Sequence, residues 1–296
     1  MYKILNKNTI KIINNDEFNI AHILECGQIF RYDKISNSIY RIISGKHNAY
    51  ITEFDDYSLI ESDNIDYFIN YFDLNTNYTK IKEKLISSVN TDFVKKAIDY
   101  GYGIRILKQD ILEVFIGFIL SGNNNIKRIS GSMNYISKLA GDCIFDIKNK
   151  KAYTFPSLSS LKKLSENDFK NAGAGYRSRY LYEFVQMIDN QLLNDFKNLE
   201  THDIYKKLIE FKGIGPKIAD CILLFGYNKM DVFPVDTWIK KFYATNFKKN
   251  ANLGIRDDLI RMFGSLSGYT QQYIFYYIRN SSKFSSNLKW LFILIF

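Results

Sequence analysis

This 296-residue chain has little of what metal, redox and secreted proteins depend on. It holds three cysteines, Cys26, Cys143 and Cys221, too scattered to form a clustered metal or iron–sulfur site. So small a number suits a reducing compartment. Its three histidines, His22, His47 and His202, lack metal-ligand spacing, which argues against a zinc centre and against histidine catalysis. Internal repeats and low-complexity linkers are missing. The opening MYKILNKNTIKII has a short, interrupted apolar run and no small-residue cleavage site, so no secretory signal is expected. The apolar run LKWLFILIF at 288–296 is far short of the roughly 20 residues a membrane helix needs. It is expected to be a tail that packs on the core or hangs from it, and no membrane partner is expected.

What is present points to a globular protein with a polyanionic partner. Apolar residues make up 46% of the chain, enough for one large domain or two moderate ones. A net charge of +9 suits nucleic acid but does not by itself identify it. The wealth of Asn, Ile and Lys reads as codon bias. From about residue 10 to 72, IFRYDK, SIYRIISG and NAYITEF read as β-strands, with turns at Ser36-Asn37 and Gly45-Lys46. From Asn77 onward, and almost throughout after Ile104, the apolar period is helical. The expected fold class is α+β, an N-terminal twisted antiparallel β-sheet domain followed by an all-helical domain. The expected boundaries are 1–103 for the sheet domain with its helices, 104–287 for the helical domain, and 288–296 for the tail.

The most informative run is FKGIGPKIADCILLFGYNKMDVFPVDTWIKKF, residues 211–242. Gly213-Ile214-Gly215 separates two helical patterns, Asp203–Phe211 and Pro216–Leu224. Glycines supply the dihedrals of a tight turn, and Pro216 suits a first helical position. The free amides of such a turn, at a helix N-terminus, can take a phosphate oxygen. Lys217 falls in the first turn, and Cys221 and Phe225 follow it at i+4 and i+8 on one helical face. A nucleophilic lysine needs burial or nearby positive potential to keep its amine neutral, and a helix N-terminus supplies part of that. Alone, the hairpin and lysine read as a solvated charge beside core residues. Asp236, in Pro234-Val235-Asp236, could simply cap the helix beginning at Thr237, and capping is compatible with a rigidly aimed catalytic carboxylate.

The hairpin at about 202–228, the lysine and the PVD loop at 234–236 together resemble the helix-hairpin-helix DNA glycosylase superfamily. Four further segments resemble its 8-oxoguanine DNA glycosylase branch: CGQIFRY at 26–32, ILSGNNNIKRI at 119–129, AGYRSRYL at 174–181 and SGYTQQYIFYY at 267–277. The resemblance implies a bifunctional glycosylase and abasic-site lyase that removes 8-oxoguanine from double-stranded DNA, preferably opposite cytosine. It implies Lys217 as nucleophile and Asp236 as the charge beside it. Gly27, Phe30, Cys221, Gln271 and Phe275 would form the pocket for the extruded base. Gln271 and Phe275, four apart, would pair an amide for the base edge with a ring for its face. By periodicity alone Phe275 reads as core and Gly27 as an ordinary turn. Asn123, Arg128 and Arg177 would read the orphaned cytosine, with phosphate contact as the alternative for both arginines, and Tyr176 would wedge into the stack. Gly213, Gly215 and Trp238 would meet the DNA backbone, although some members carry histidine where Trp238 stands. No cofactor and no iron–sulfur cluster is expected, and hairpin carbonyls near Gly213 could hold a structural cation. The protein is expected to be a monomer in a bacterial or archaeal-type cytoplasm, associated with the nucleoid. The competing readings are a related glycosylase for another damaged purine and a non-catalytic DNA-binding module.

Overall fold

The computed structural model describes residues 2–13, 17–88, 92–247 and 254–281. The run 288–296 therefore lies outside the described residues. Six strands, β1 (Tyr2–Asn6), β2 (Thr9–Ile13), β3 (Asp33–Lys34), β4 (Ile39–Ser44), β5 (His47–Glu53) and β6 (Tyr57–Ser62), form one antiparallel sheet in the order β1-β2-β6-β5-β4-β3. The two-residue side-chain period aligns Ile10, Ile60, Ile51 and Tyr40 across four neighbouring strands, all of them fully buried. A mostly helical region carrying the hairpin follows, as the α+β reading expected.

Local chemistry departs from the periodicity at several points. IFRYDK is not a strand: only Asp33 and Lys34 pair, because Gln28, Phe30 and Arg31 are buried in contacts with the helical region. The helical run expected after Ile104 is interrupted by a two-stranded ribbon, Cys143–Phe145 with Lys151–Tyr153. Its loop closes around the buried Asp146, whose carboxylate accepts from the Lys148 and Lys150 amides and the Tyr50 hydroxyl. Two short helices, Leu158–Leu161 and Glu166–Phe169, follow the ribbon, because Ser157 and Ser165 each cap a new start. Asp189 likewise caps a separate helix, Asn190–Asp195, within the stretch of helical period.

Three apolar cores result among the described residues. One lies under the sheet, with Phe18, Ile51, Ile60, Phe68 and Phe72. A second gathers around the helix Ile111–Ser121 and the lysine helix Pro216–Gly226. The third joins Leu85, Val94 and Ile98 to the aspartate helix Thr237–Phe247 and the last helix Ser267–Asn280. Helices Tyr78–Ser88 and Asp92–Tyr100 thus share their packing with the end of the described chain, although the sequence groups them with the sheet. The segment 26–30 visits all three cores, with Cys26 in the third, Ile29 in the sheet core and Phe30 in the second. Burial of large apolar side chains such as Ile29 and Phe30 contributes about 1.5–3 kcal/mol apiece, so the turn between Cys26 and Gln28 is held from several sides.

Candidate active site

The lysine helix starts at Pro216 behind Gly215, and no side chain caps it. That leaves the first-turn amides for an anion. Gly213 makes the turn: its φ is +87°, and a side chain there would strike the Tyr180 ring, which lies against it. Lys217, Cys221 and Phe225 line one cavity, as spacing by four on a helix requires. This cavity of about 60 Å³ is completed by Gly27, Phe118, Pro234, Asp236, Gln271, Gln272 and Phe275. Phe118 and Phe225 stack with centroids 5.4 Å apart and planes at 11°, forming one wall. The Lys217 amine lies 5.3 Å from the Phe118 ring centroid and donates to Ser121 Oγ at 3.2 Å.

Asp236 caps its helix, accepting from the Ile239 amide at 2.9 Å. Both readings of this residue coexist in the geometry, because the capped carboxylate also lines the cavity. Burial raises its pKa above the ordinary value, opposed by the Ile239 amide and the Lys217 charge. Lys217 and Asp236 form no direct ion pair. Burial pushes the Cys221 thiol up to about 11 despite the nearby lysine, so it is a neutral, polarisable wall at physiological pH.

On the facing side, Gly27 has φ +87°. A Cβ there would lie 3.2 Å from Phe275 Cε1 and 3.1 Å from Arg279 Nη1. Its peptide is fixed by its neighbours. Buried Gln28 donates to the Ile23 and Arg105 carbonyls and accepts from the Leu107 amide, and Gln272 donates to the Cys26 carbonyl at 2.9 Å. Gln271 is buried, and its Oε1 has no hydrogen-bond partner among the described residues. Leaving such an acceptor unpaired costs about 1–3 kcal/mol, which a ligand donor would recover.

Phe30 is one layer back. It is 7% exposed, does not line the cavity, and supports Phe118 edge-on at 5.2 Å. Phe118, Ser121, Pro234 and Gln272 are cavity or amine contacts that sequence spacing left unassigned. For Ser121 a signal existed, since it immediately precedes the GNNN segment.

A second, open concavity of about 550 Å³ lies between the hairpin and the turn that carries Tyr176. Phe118 and Lys217 face the first cavity while their neighbours Ile119 and Ile218 face the second, so the two share a wall. The three asparagines divide the labour of the connecting turn. Asn123 takes a left-handed φ of 49°, Asn124 donates to the Leu120 carbonyl, and Asn125 caps the next helix at the Arg128 amide. Asn123 and Arg128 are exposed. Arg177 is not: it is 6% exposed and its guanidinium donates to the carbonyls of Gly122, Asn123 and Ala174. Tyr176 is 60% exposed beside it, and its hydroxyl donates to the Gly122 carbonyl. Trp238 is half-buried and packs against the third core.

The chain is similar to several known proteins. The family model for the 8-oxoguanine DNA glycosylase N-terminal domain matches residues 11–115. A crystal structure of the Clostridium acetobutylicum 8-oxoguanine glycosylase/lyase, in complex with double-stranded DNA containing cytosine opposite the lesion, superposes with a TM-score of 0.87. It is 36% identical, over 94% of this chain and 97% of that one. An N-glycosylase/DNA lyase of Arabidopsis thaliana is 32% identical over 62% of this chain, and the match spans only 56% of that protein's length. A probable N-glycosylase/DNA lyase of Methanothermobacter thermautotrophicus is 28% identical, over 71% of this chain and 72% of its own. No helix among the described residues is long and apolar enough to cross a membrane.

Proposed function

The chain belongs to the 8-oxoguanine DNA glycosylase/lyase family, and from that premise we propose that it excises 8-oxoguanine from duplex DNA and then nicks the abasic strand. One observation carries the reading. A lysine amine, a half-buried carboxylate, an unpaired amide acceptor and a half-buried ring converge on a single small cavity.

The extruded base enters between Phe275 and the Cys221 wall, and its ring N–H and amino donors meet Gln271 Oε1. The Gly27 carbonyl accepts from N7–H, which guanine lacks, so guanine would bring an acceptor against an acceptor. Lys217 attacks C1′ as the glycosidic bond breaks. The Asp236 anion stabilises the positive charge that develops on the sugar. The lysine–sugar Schiff base then acidifies the C2′ hydrogen, and β-elimination cleaves the strand 3′ to the lesion. Gly213 and Gly215 hold phosphate through backbone amides, with Trp238 nearby, while Asn123, Arg128 and Arg177 face the orphaned cytosine and Tyr176 fills the gap.

The chemistry uses only these side chains. A structural cation at the hairpin would rest on backbone carbonyls around Gly213, a donor set that fits an alkali or calcium ion. The protein acts as a monomer on chromosomal DNA in the cytoplasm. The deciding experiment is cleavage of duplexes holding one 8-oxoguanine opposite each of the four bases, with borohydride trapping of wild type and Lys217→Gln. An intact duplex that is merely bound would identify a non-catalytic DNA-binding module.

A further inference from the structure

Arg279 stands one helical turn beyond Phe275 and two beyond Gln271, on the same face of the last helix. Its guanidinium carbon lies 5.2 Å from the Phe275 ring centroid. One nitrogen, Nη2, donates to the Glu25 carbonyl. The other, Nη1, is buried and has no hydrogen-bond partner among the described residues. It lies 3.1 Å from the point where a Cβ on Gly27 would be, beside Phe275 Cε1. Gly27 and Phe275 line the cavity and Arg279 does not, so the guanidinium sits directly behind both of them. The Glu25 carboxylate, on the same turn, hydrogen-bonds Lys34 at 2.8 Å and the Tyr40 hydroxyl at 2.9 Å, and feels the Arg279 charge without a direct hydrogen bond to it. A half-buried cation with an idle, buried donor therefore stands against the Gly27 and Phe275 lining of the cavity.

We propose that Arg279 stabilises the departing base as negative charge develops on it. The inference rests on the glycosylase reading above. As the C1′–N9 bond breaks, its electron pair leaves on the purine. The Lys217 lone pair forms the new bond to C1′, and the proton released from that nitrogen neutralises the base. A fixed positive charge behind Gly27 and Phe275 lowers the energy of the anion before that proton arrives, and poorly screened surroundings strengthen the effect. Asp236 serves the sugar cation and Arg279, behind the lining, the base anion.

The test separates base departure from strand cleavage. Arg279→Met should slow single-turnover excision of 8-oxoguanine roughly ten- to a hundredfold. On a preformed abasic site, where no base departs, its lyase rate and borohydride adduct yield should match wild type, which also reports folding. Arg279→Lys should restore most of the excision rate. If Arg279→Met does not fold, Arg279→Gln and Arg279→Lys carry the same comparison. Equal slowing of excision and of abasic-site cleavage would reduce Arg279 to a packing residue, and unchanged excision would overturn the proposal. Wild-type protein that spares 8-oxoguanine would instead overturn the functional reading beneath it.

Discussion

Ser121 Oγ accepts a hydrogen bond from Lys217 Nζ at 3.2 Å, linking the end of the Ile111–Ser121 helix to the amine across the cavity wall. The serine hydroxyl also donates to the Phe118 carbonyl at 2.7 Å, so its lone pairs face the amine. This arrangement aims a flexible four-carbon side chain. Ser121→Ala should lower the rate of covalent trapping about five- to tenfold, the worth of one hydrogen bond of about 1–1.5 kcal/mol, and leave binding of lesion DNA unchanged. Gel-shift and trapping assays on the same duplex measure both. Trapping at the wild-type rate would mean the amine is aimed by its own helix alone.

Asp236 has a pH signature. Burial holds its pKa above the ordinary 3.8, so its anion, and the activity that depends on it, is lost as pH falls through that raised value. The acid limb of single-turnover excision should therefore lie above the usual aspartate range. Asp236→Asn keeps an oxygen for the Ile239 amide and removes the charge. It should fold, bind lesion DNA, turn over roughly a hundredfold more slowly, and lose that acid limb. A carboxyl with a raised folded pKa binds more protons folded than unfolded, so this group opposes folding more as pH rises. Asparagine at 236 should accordingly not destabilise the protein at neutral pH. A rate near wild type in this variant would leave Asp236 as a helix cap.

The two hairpin glycines should fail in different assays. Gly213 has φ +87° and the Tyr180 ring against it, so Gly213→Ala should cost about 1–3 kcal/mol and lower the melting temperature. Gly215 has φ −88° and nothing within 4 Å of a Cβ position, so Gly215→Ala should change stability by no more than about 0.5 kcal/mol. It should nevertheless weaken DNA binding, because the added methyl stands where phosphate must approach. Unchanged affinity in Gly215→Ala would remove the hairpin from the DNA interface.

Opposite-base selectivity should divide Arg128 from Arg177. Both variants to Ala should narrow the preference for cytosine over adenine by roughly ten- to a hundredfold, the value of about 1–3 kcal/mol per base contact. Only Arg177→Ala should also melt at lower temperature, since it abandons the carbonyls of Gly122, Asn123 and Ala174, whereas Arg128 is exposed. Equal slowing with every opposite base would show that the arginines hold phosphate.

The α+β order, the hairpin and the face shared by Lys217, Cys221 and Phe225 were legible in the sequence, because turns, caps and helical spacing are local properties written over a few residues. Short-range competition already blurred that reading: Ser165 and Asp189 cap new helices inside stretches of continuous helical period, and Asp146 folds a ribbon within a helical region. Contacts between distant segments were not legible from spacing; the family resemblance alone had grouped Gly27, Cys221, Gln271 and Phe275, which line one cavity. Only the tertiary structure joined Ser121 to Lys217, set Phe30 behind Phe118 rather than in the cavity, tied Arg177 to the Asn123 turn, and left Arg279 with an idle donor behind Gly27. Those relationships depend on how three cores close around the segment 26–30, and burial fixes them through side chains up to 254 positions apart, as in Arg279 to Glu25. No spacing rule along a single chain segment encodes a contact of that range.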